Sequence, residues 1–101
     1  MAFHIKSERI REIKPMRFRE GGKLHYRVKI YIDADNPDDL LKVDSVVYEL
    51  HPTFRERIRV SYERTRNFEI ALWTYGFFDI KAKILKADKT VDEITGYVRW
   101  T

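Results

Sequence analysis

Apolar and polar residues alternate along most of this chain, and the alternation breaks at clusters of turn-forming residues. The longest clean run is Phe78 to Lys86. Phe78, Ile80, Ala82 and Ile84 share one face, and Asp79, Lys81 and Lys83 share the other. A period of two is that of a half-buried β-strand. Tyr26 to Ile32 repeats it, with Tyr26, Val28, Ile30 and Ile32 opposite Arg27, Lys29 and Tyr31. Val43 to Leu50 puts Val46, Tyr48 and Leu50 inward. Arg57 to Glu63 predicts Ile58, Val60 and Tyr62 inside, with Arg57, Arg59 and Ser61 outside. Phe68, Ile70 and Leu72 form a short strand, and Glu93 to Trp100 closes the sequence with Ile94, Val98 and Trp100 on one face. At the start, Ala2 to Lys14 reads as an edge strand in competition with a helix over Ile5 to Ile13. Pro15 ends either one.

Turn signals separate these runs. They fall at Glu20-Gly21-Gly22-Lys23, at Asp35-Asn36-Pro37 before one helical turn near Asp38 to Leu41, at Arg64 to Asn67, and at Ala87-Asp88-Lys89-Thr90. Short strands at this spacing predict an all-β sandwich of about seven or eight antiparallel strands in two sheets. The expected core is Val28, Ile30, Val46, Tyr48, Leu50, Ile58, Val60, Phe68, Ile70, Ile80, Ala82 and Ile84.

Length confines this pattern to one domain, residues 1–101, which also suits a module cut from a longer chain. There is no cysteine, so neither a disulfide framework nor a thiolate zinc site is available. No apolar run is as long as a membrane span and no signal peptide is visible, so the expected location is the cytoplasm. The net charge of +4 comes from 20 Lys and Arg against 16 Asp and Glu, a mild excess of mixed sign. Nucleic acid therefore ranks low as the primary ligand, although Arg55, Arg57, Arg59, Arg64 and Arg66 form a basic series.

The inventory does not suit catalysis. His4, His25 and His51 lie on separate elements, and no zincin, nucleophile-elbow, P-loop or dinucleotide motif occurs. Asp33-Ala34-Asp35 and Asp38-Asp39 lack the glycine and distal glutamate of a calcium loop. The expectation is a non-enzymatic binding module with no cofactor and no metal.

Two loops carry more apolar surface than a turn needs. One is Leu50-His51-Pro52-Thr53-Phe54. The other is Trp73-Thr74-Tyr75-Gly76-Phe77-Phe78, with four rings in six residues. Loops lie at the surface, and large rings there serve contact more often than turning. Each also has a plainer reading. Pro52 is a stop signal, His51 a carbonyl cap and Phe54 a core plug, while the second loop covers the end of the sandwich.

Together the two loops resemble the YEATS family of reader domains, and more closely its divergent prokaryotic branch. The resemblance rests on Leu50-His51-Pro52-Thr53-Phe54 ending one strand, Arg57-Ile58-Arg59-Val60 in the next, and Thr74-Tyr75-Gly76-Phe77-Phe78 leading into Asp79 to Ile84. It covers residues 24–86 in one register. It implies an immunoglobulin-like β-sandwich and a protein or peptide partner carrying acetyl- or crotonyl-lysine. It further implies a ligand-binding set of His51, Thr53, Phe54, Thr74, Tyr75, Gly76 and Phe78. Phe54 and Tyr75 would sandwich the planar acyl-amide, Thr53 would hydrogen-bond it, and the Tyr75 N–H would meet the acyl carbonyl. An acylated lysine has lost its charge, so an aromatic slot accepts it without burying an ammonium. Thr74 stands where the family has glycine, Trp73 is bulky for its position, Tyr26 replaces a tryptophan, and one aromatic wall of the family falls near Gly22. The alternative is an immunoglobulin-like interaction or signal-sensing module for a different protein or small molecule, using the same loops.

Overall fold

The structure, a computed structural model, describes residues 3–17 and 22–100; Glu20 and Gly21 of the first predicted turn and Ala2 of the first predicted strand lie outside the described residues. Eight strands are described: β1 (Phe3–Arg9), β2 (Met16–Arg17), β3 (Leu24–Ala34), β4 (Val43–Glu49), β5 (Ile58–Ser61), β6 (Ile70–Thr74), β7 (Phe78–Lys86) and β8 (Val91–Val98). They form two antiparallel sheets, an immunoglobulin-like β-sandwich. In the first sheet β3 is central, with β1 along Val28 to Ala34, β2 along Leu24 and His25, and β6 along Tyr26 to Ile30. The second has the order β5-β4-β7-β8. The helical reading of Ile5 to Ile13 gives way to β1, which ends at Arg9. A 3₁₀ turn spans Pro37–Lys42, begun by the Asn36 side chain accepting from the Asp38 N–H.

The core is made of the faces that alternation assigned inward. Val28, Ile30, Ile32, Val46, Tyr48, Ile80, Ala82 and Ile84 are buried with Leu50, Phe68, Ile70, Leu72, Phe78 and Val98. Gly96 lets β1 close on β8, because a Cβ there would meet the Ile5 Cβ at 3.0 Å. The Ser7 hydroxyl then donates to the Arg99 carbonyl at 2.9 Å, tying the two strands near their ends.

β5 corrects the sequence reading. Ile58 and Val60 are exposed rather than in the core, and Tyr62 is 73% exposed. Arg59 and Ser61, expected outside, turn inward. The register explains the inversion. Tyr48 faces Arg59 and Val46 faces Ser61, and directly opposed residues in an antiparallel pair share a face. Since Tyr48 and Val46 point into the sandwich, Arg59 and Ser61 must follow.

Their polarity has a use there. β6 is paired on one side only, and its carbonyls need donors. The Ser61 hydroxyl donates to the Glu69 carbonyl at 3.1 Å, and the Arg59 guanidinium reaches the Ala71 carbonyl at 3.5 Å. The Tyr48 hydroxyl donates to the Phe68 carbonyl at 2.7 Å. Asn67 and Phe68, at φ 53° and 57°, are both left-handed, a conformation rare for an aromatic residue. It costs on the order of 1–2 kcal/mol. Full burial of the Phe68 ring and the bond from the Phe68 N–H to the Glu63 carbonyl at 2.9 Å hold it in place.

A candidate aromatic binding cleft

The first loop leaves β4 and is closed at its base by the Leu50 N–H donating to the Arg57 carbonyl at 2.6 Å. Inside it, the Phe54 N–H donates to the His51 carbonyl at 3.0 Å, a tight turn that brings Phe54 back over the sandwich. Its ring rests half-buried on Phe78, centroids 4.9 Å apart and tilted by 56°. The core-plug reading of Phe54 therefore holds for one face of the ring. The Thr53 N–H donates to Nδ1 of His51 at 3.3 Å, and the Thr53 hydroxyl lies 2.9 Å from the same nitrogen.

The second loop joins β6 to β7. The Thr74 hydroxyl donates to the Gly76 carbonyl at 2.9 Å, and the Thr74 side chain is buried beneath the loop. Standing where the family has glycine, Thr74 lines the cleft and braces the turn from below. At Gly76 an added Cβ would meet nothing within 4 Å, so the chain's own packing does not demand glycine. The neighbouring Tyr75 is 54% exposed. His25 packs edge-on against Tyr75 at 5.2 Å, and Lys23 Nζ sits 4.3 Å from the ring centroid. Phe77 packs on Trp100 at 4.7 Å.

These pieces enclose one open cleft of about 900 Å³. His51, Thr53, Phe54, Thr74, Tyr75, Gly76 and Phe78 all line it, so the two loops converge. Phe54 comes from the first loop and Tyr75 and Phe78 from the second, and all three line this space. The sequence reading missed several other contributors. Met16 and Arg17 arrive on β2, which is too short for alternation to reveal. His25 comes from the start of β3, opposite Met16. Tyr97 sits opposite Asp79 on β8, on the polar face, and Arg55 follows Phe54 in the first loop. Two arginines, Arg17 and Arg55, against one aspartate, Asp79, give the cleft a cationic margin. Tyr26, in the family's tryptophan position, packs with Trp100 at 5.9 Å and is not among the lining residues.

Among the described residues no group of three or more His, Asp or Glu is placed to hold a metal ion, and no helix is long and apolar enough to cross a membrane. Of the basic series, Arg64 is drawn to the Val43 carbonyl at 2.8 Å and Arg59 is turned inward, so the series does not form one surface.

Comparison with known proteins gives a consistent picture. Residues 26–99 match the model of the prokaryotic YEATS domain. No curated protein sequence matches the chain. Among solved structures, the yeast AF-9 homologue Yaf9 superposes over 98% of this chain and 69% of its own, with a TM-score of 0.68 at 21% identity. The Yaf9 YEATS domain bound to H3K27ac covers 96% and 68%, with a TM-score of 0.67 at 22% identity. The same domain recognising an H3K122suc peptide covers 97% and 70%, with a TM-score of 0.67 at 20% identity. At these identities the likeness is one of fold.

Proposed function

The chain belongs to the prokaryotic YEATS family, and from that premise we propose that it is a reader module that holds an acylated lysine of a protein partner in the cleft between its two aromatic loops. The observation that supports this most directly is convergence. Residues from loops more than twenty positions apart line one cleft, and its size lies within the usual range for small-molecule and side-chain sites.

The roles follow from the geometry. Phe54, backed by Phe78, offers one apolar wall, and Tyr75, backed by His25, offers another. A flat acyl-amide between them replaces water on both faces with ring contact. The Thr53 hydroxyl, held beside His51, hydrogen-bonds the acyl-amide. Gly76 leaves room for the acyl chain at the base of the loop. The Tyr75 N–H is the assigned donor to the acyl carbonyl. No reacting group is required, so the module is assigned no catalysis.

Titration calorimetry with acetylated, crotonylated, succinylated and unmodified lysine peptides tests this reading. Acylated peptides bind and the unmodified one does not. Tyr75→Ala and Phe54→Ala each cost about 1–3 kcal/mol of binding, by analogy with stacking of flat rings on aromatic side chains. Thr53→Val removes one hydrogen bond at nearly constant shape and costs about 1–3 kcal/mol. Gly76→Ala leaves stability within roughly 0.5 kcal/mol, because the added methyl meets nothing in the fold, and weakens acyl binding if the ligand uses the space beside this lining residue. Equal affinity for modified and unmodified peptides rejects the reading.

A second reading rests on the cationic margin. Arg17, whose guanidinium donates to the Gly22 carbonyl at 2.7 Å, and Arg55 line the same cleft and suit a small anionic signal molecule. Loss of binding with Arg17→Ala or Arg55→Ala, and indifference to lysine acylation, favour it.

A further inference from the structure

The described sandwich has four strand edges, and three of them make local ties to the opposite sheet. β1 and β8 are tied to each other through Ser7 and Arg99. On the free side of β6 the Ala71 carbonyl accepts from Arg59, and just before the strand the Phe68 and Glu69 carbonyls accept from Tyr48 and Ser61. β5, at the end of the order β5-β4-β7-β8, has no such cover. Its free groups can be assigned. The Leu50 N–H donates to the Arg57 carbonyl, so in an antiparallel ladder Arg57, Arg59 and Ser61 turn their backbone groups toward β4. Those of Ile58 and Val60 turn outward.

The same residues expose apolar side chains. Ile58 is 52% exposed and Val60 46%, and Tyr62 continues the stripe. The outward residues carry no charge, so this edge is guarded only by its four-residue length and the inward-turned Arg59.

The sequence of this edge is self-complementary. Reversed about Val60, the stretch Arg57-Ile58-Arg59-Val60-Ser61-Tyr62-Glu63 places Val60 against Val60, Ile58 against Tyr62 and Arg57 against Glu63. Arg57 and Glu63 are both exposed and have no ion-pair partner within the described chain. The outward-turned residues Ile58 and Val60 are also the ones that this register would hydrogen-bond across the twofold axis.

We propose that β5 pairs antiparallel with β5 of a second copy, centred on Val60, joining the two second sheets into one continuous sheet. Ile58, Val60 and Tyr62 of both copies form a single apolar patch on its outer face, and an Arg57–Glu63 pair closes each end of the seam from the opposite face. A twofold axis makes each contact occur twice, as a self-complementary interface requires.

Sedimentation equilibrium across a concentration series tests the register as well as the association. Wild type dimerises. Val60→Lys, which places two ammonium groups face to face on a surface position, leaves a monomer. Arg57→Glu and Glu63→Arg each weaken association on the order of tenfold through like-charge contacts. Combining them restores it by reversing the pair. Ile58→Lys is the second disruption of the stripe, and circular dichroism confirms that each variant keeps its strand signal. A monomer at every concentration up to the millimolar range overturns the second copy as occupant. A dimer indifferent to Val60→Lys and Ile58→Lys, or a combined charge swap no tighter than the single variants, overturns this interface.

Discussion

β7 and β5 lie in the same sheet and alternate equally well in sequence, yet only β7 places its apolar residues inside. The difference lies in their neighbours. β7 is flanked by β4 and β8, so both neighbours and the opposing sheet fix its apolar face as the core face. β5 pairs only with β4, and its inward face lies beside carbonyls in and just before the singly paired β6. There, hydroxyl and guanidinium donors satisfy backbone oxygens that an isoleucine would leave bare. Alternation reports which residues share a face. It does not report which face is buried, and a one-residue change of register reverses the answer.

The largest expected contrast is between two isoleucines on these strands. Ile84→Ala opens a cavity in the core and costs about 2–5 kcal/mol in urea unfolding. Ile58→Ala, read on protein diluted below any self-association, stays within roughly 0.5 kcal/mol. A large loss from Ile58→Ala would mean that β5 is packed as alternation first suggests.

The donors on the inward side provide the next contrast. Tyr48→Phe leaves the Phe68 carbonyl without its partner in a buried place and costs about 1–3 kcal/mol. Burial, with a smaller contribution from the charge of Glu69, holds the Tyr48 phenol well above the ordinary tyrosine range. In the unfolded chain it ionises near pH 10. Above that pH the unfolded state binds fewer protons than the folded one, so stability falls as pH rises. The contribution is fully present below pH 10 and declines through the alkaline range. Chemical denaturation between pH 8 and 11 should show a steeper alkaline decline in wild type than in Tyr48→Phe.

Local spacing carried much of the architecture. β3, β4, β7 and β8 follow from period-two runs, and both loops follow from rings placed at turns. That the loop residues share a cleft is consistent with motif spacing, because each loop leaves the same end of its strand. What spacing lacked was cross-strand information. β2 is two residues long and exists only because β3 extends beyond β1. Tyr97 reads as solvated on β8 until the register sets it beside the cleft. His25 seemed isolated because its neighbour, Tyr75, lies fifty residues away. Phe68 alternates like an ordinary strand residue, and nothing in its neighbours announces a left-handed backbone.

Arg57 and Arg59 provide the finest test of the contrast, because they are the same residue two positions apart. Alternation treats them alike, as solvated cations whose removal costs little. In the fold they separate. Arg57 falls in the loop before β5 and is exposed, whereas Arg59 is half-buried, with its stem against the inner face and its guanidinium directed at Ala71. Arg57→Ala should leave monomer stability within roughly 0.5 kcal/mol. Arg59→Ala removes both a donor and the packing of a long apolar stem. It should cost about 0.5–1.5 kcal/mol. Arg59→Lys keeps charge and most of the stem but not the planar fork, so it recovers only part of that loss. Equal effects from Arg57→Ala and Arg59→Ala in urea denaturation would return Arg59 to the solvent face and remove the physical reason given for the inverted strand.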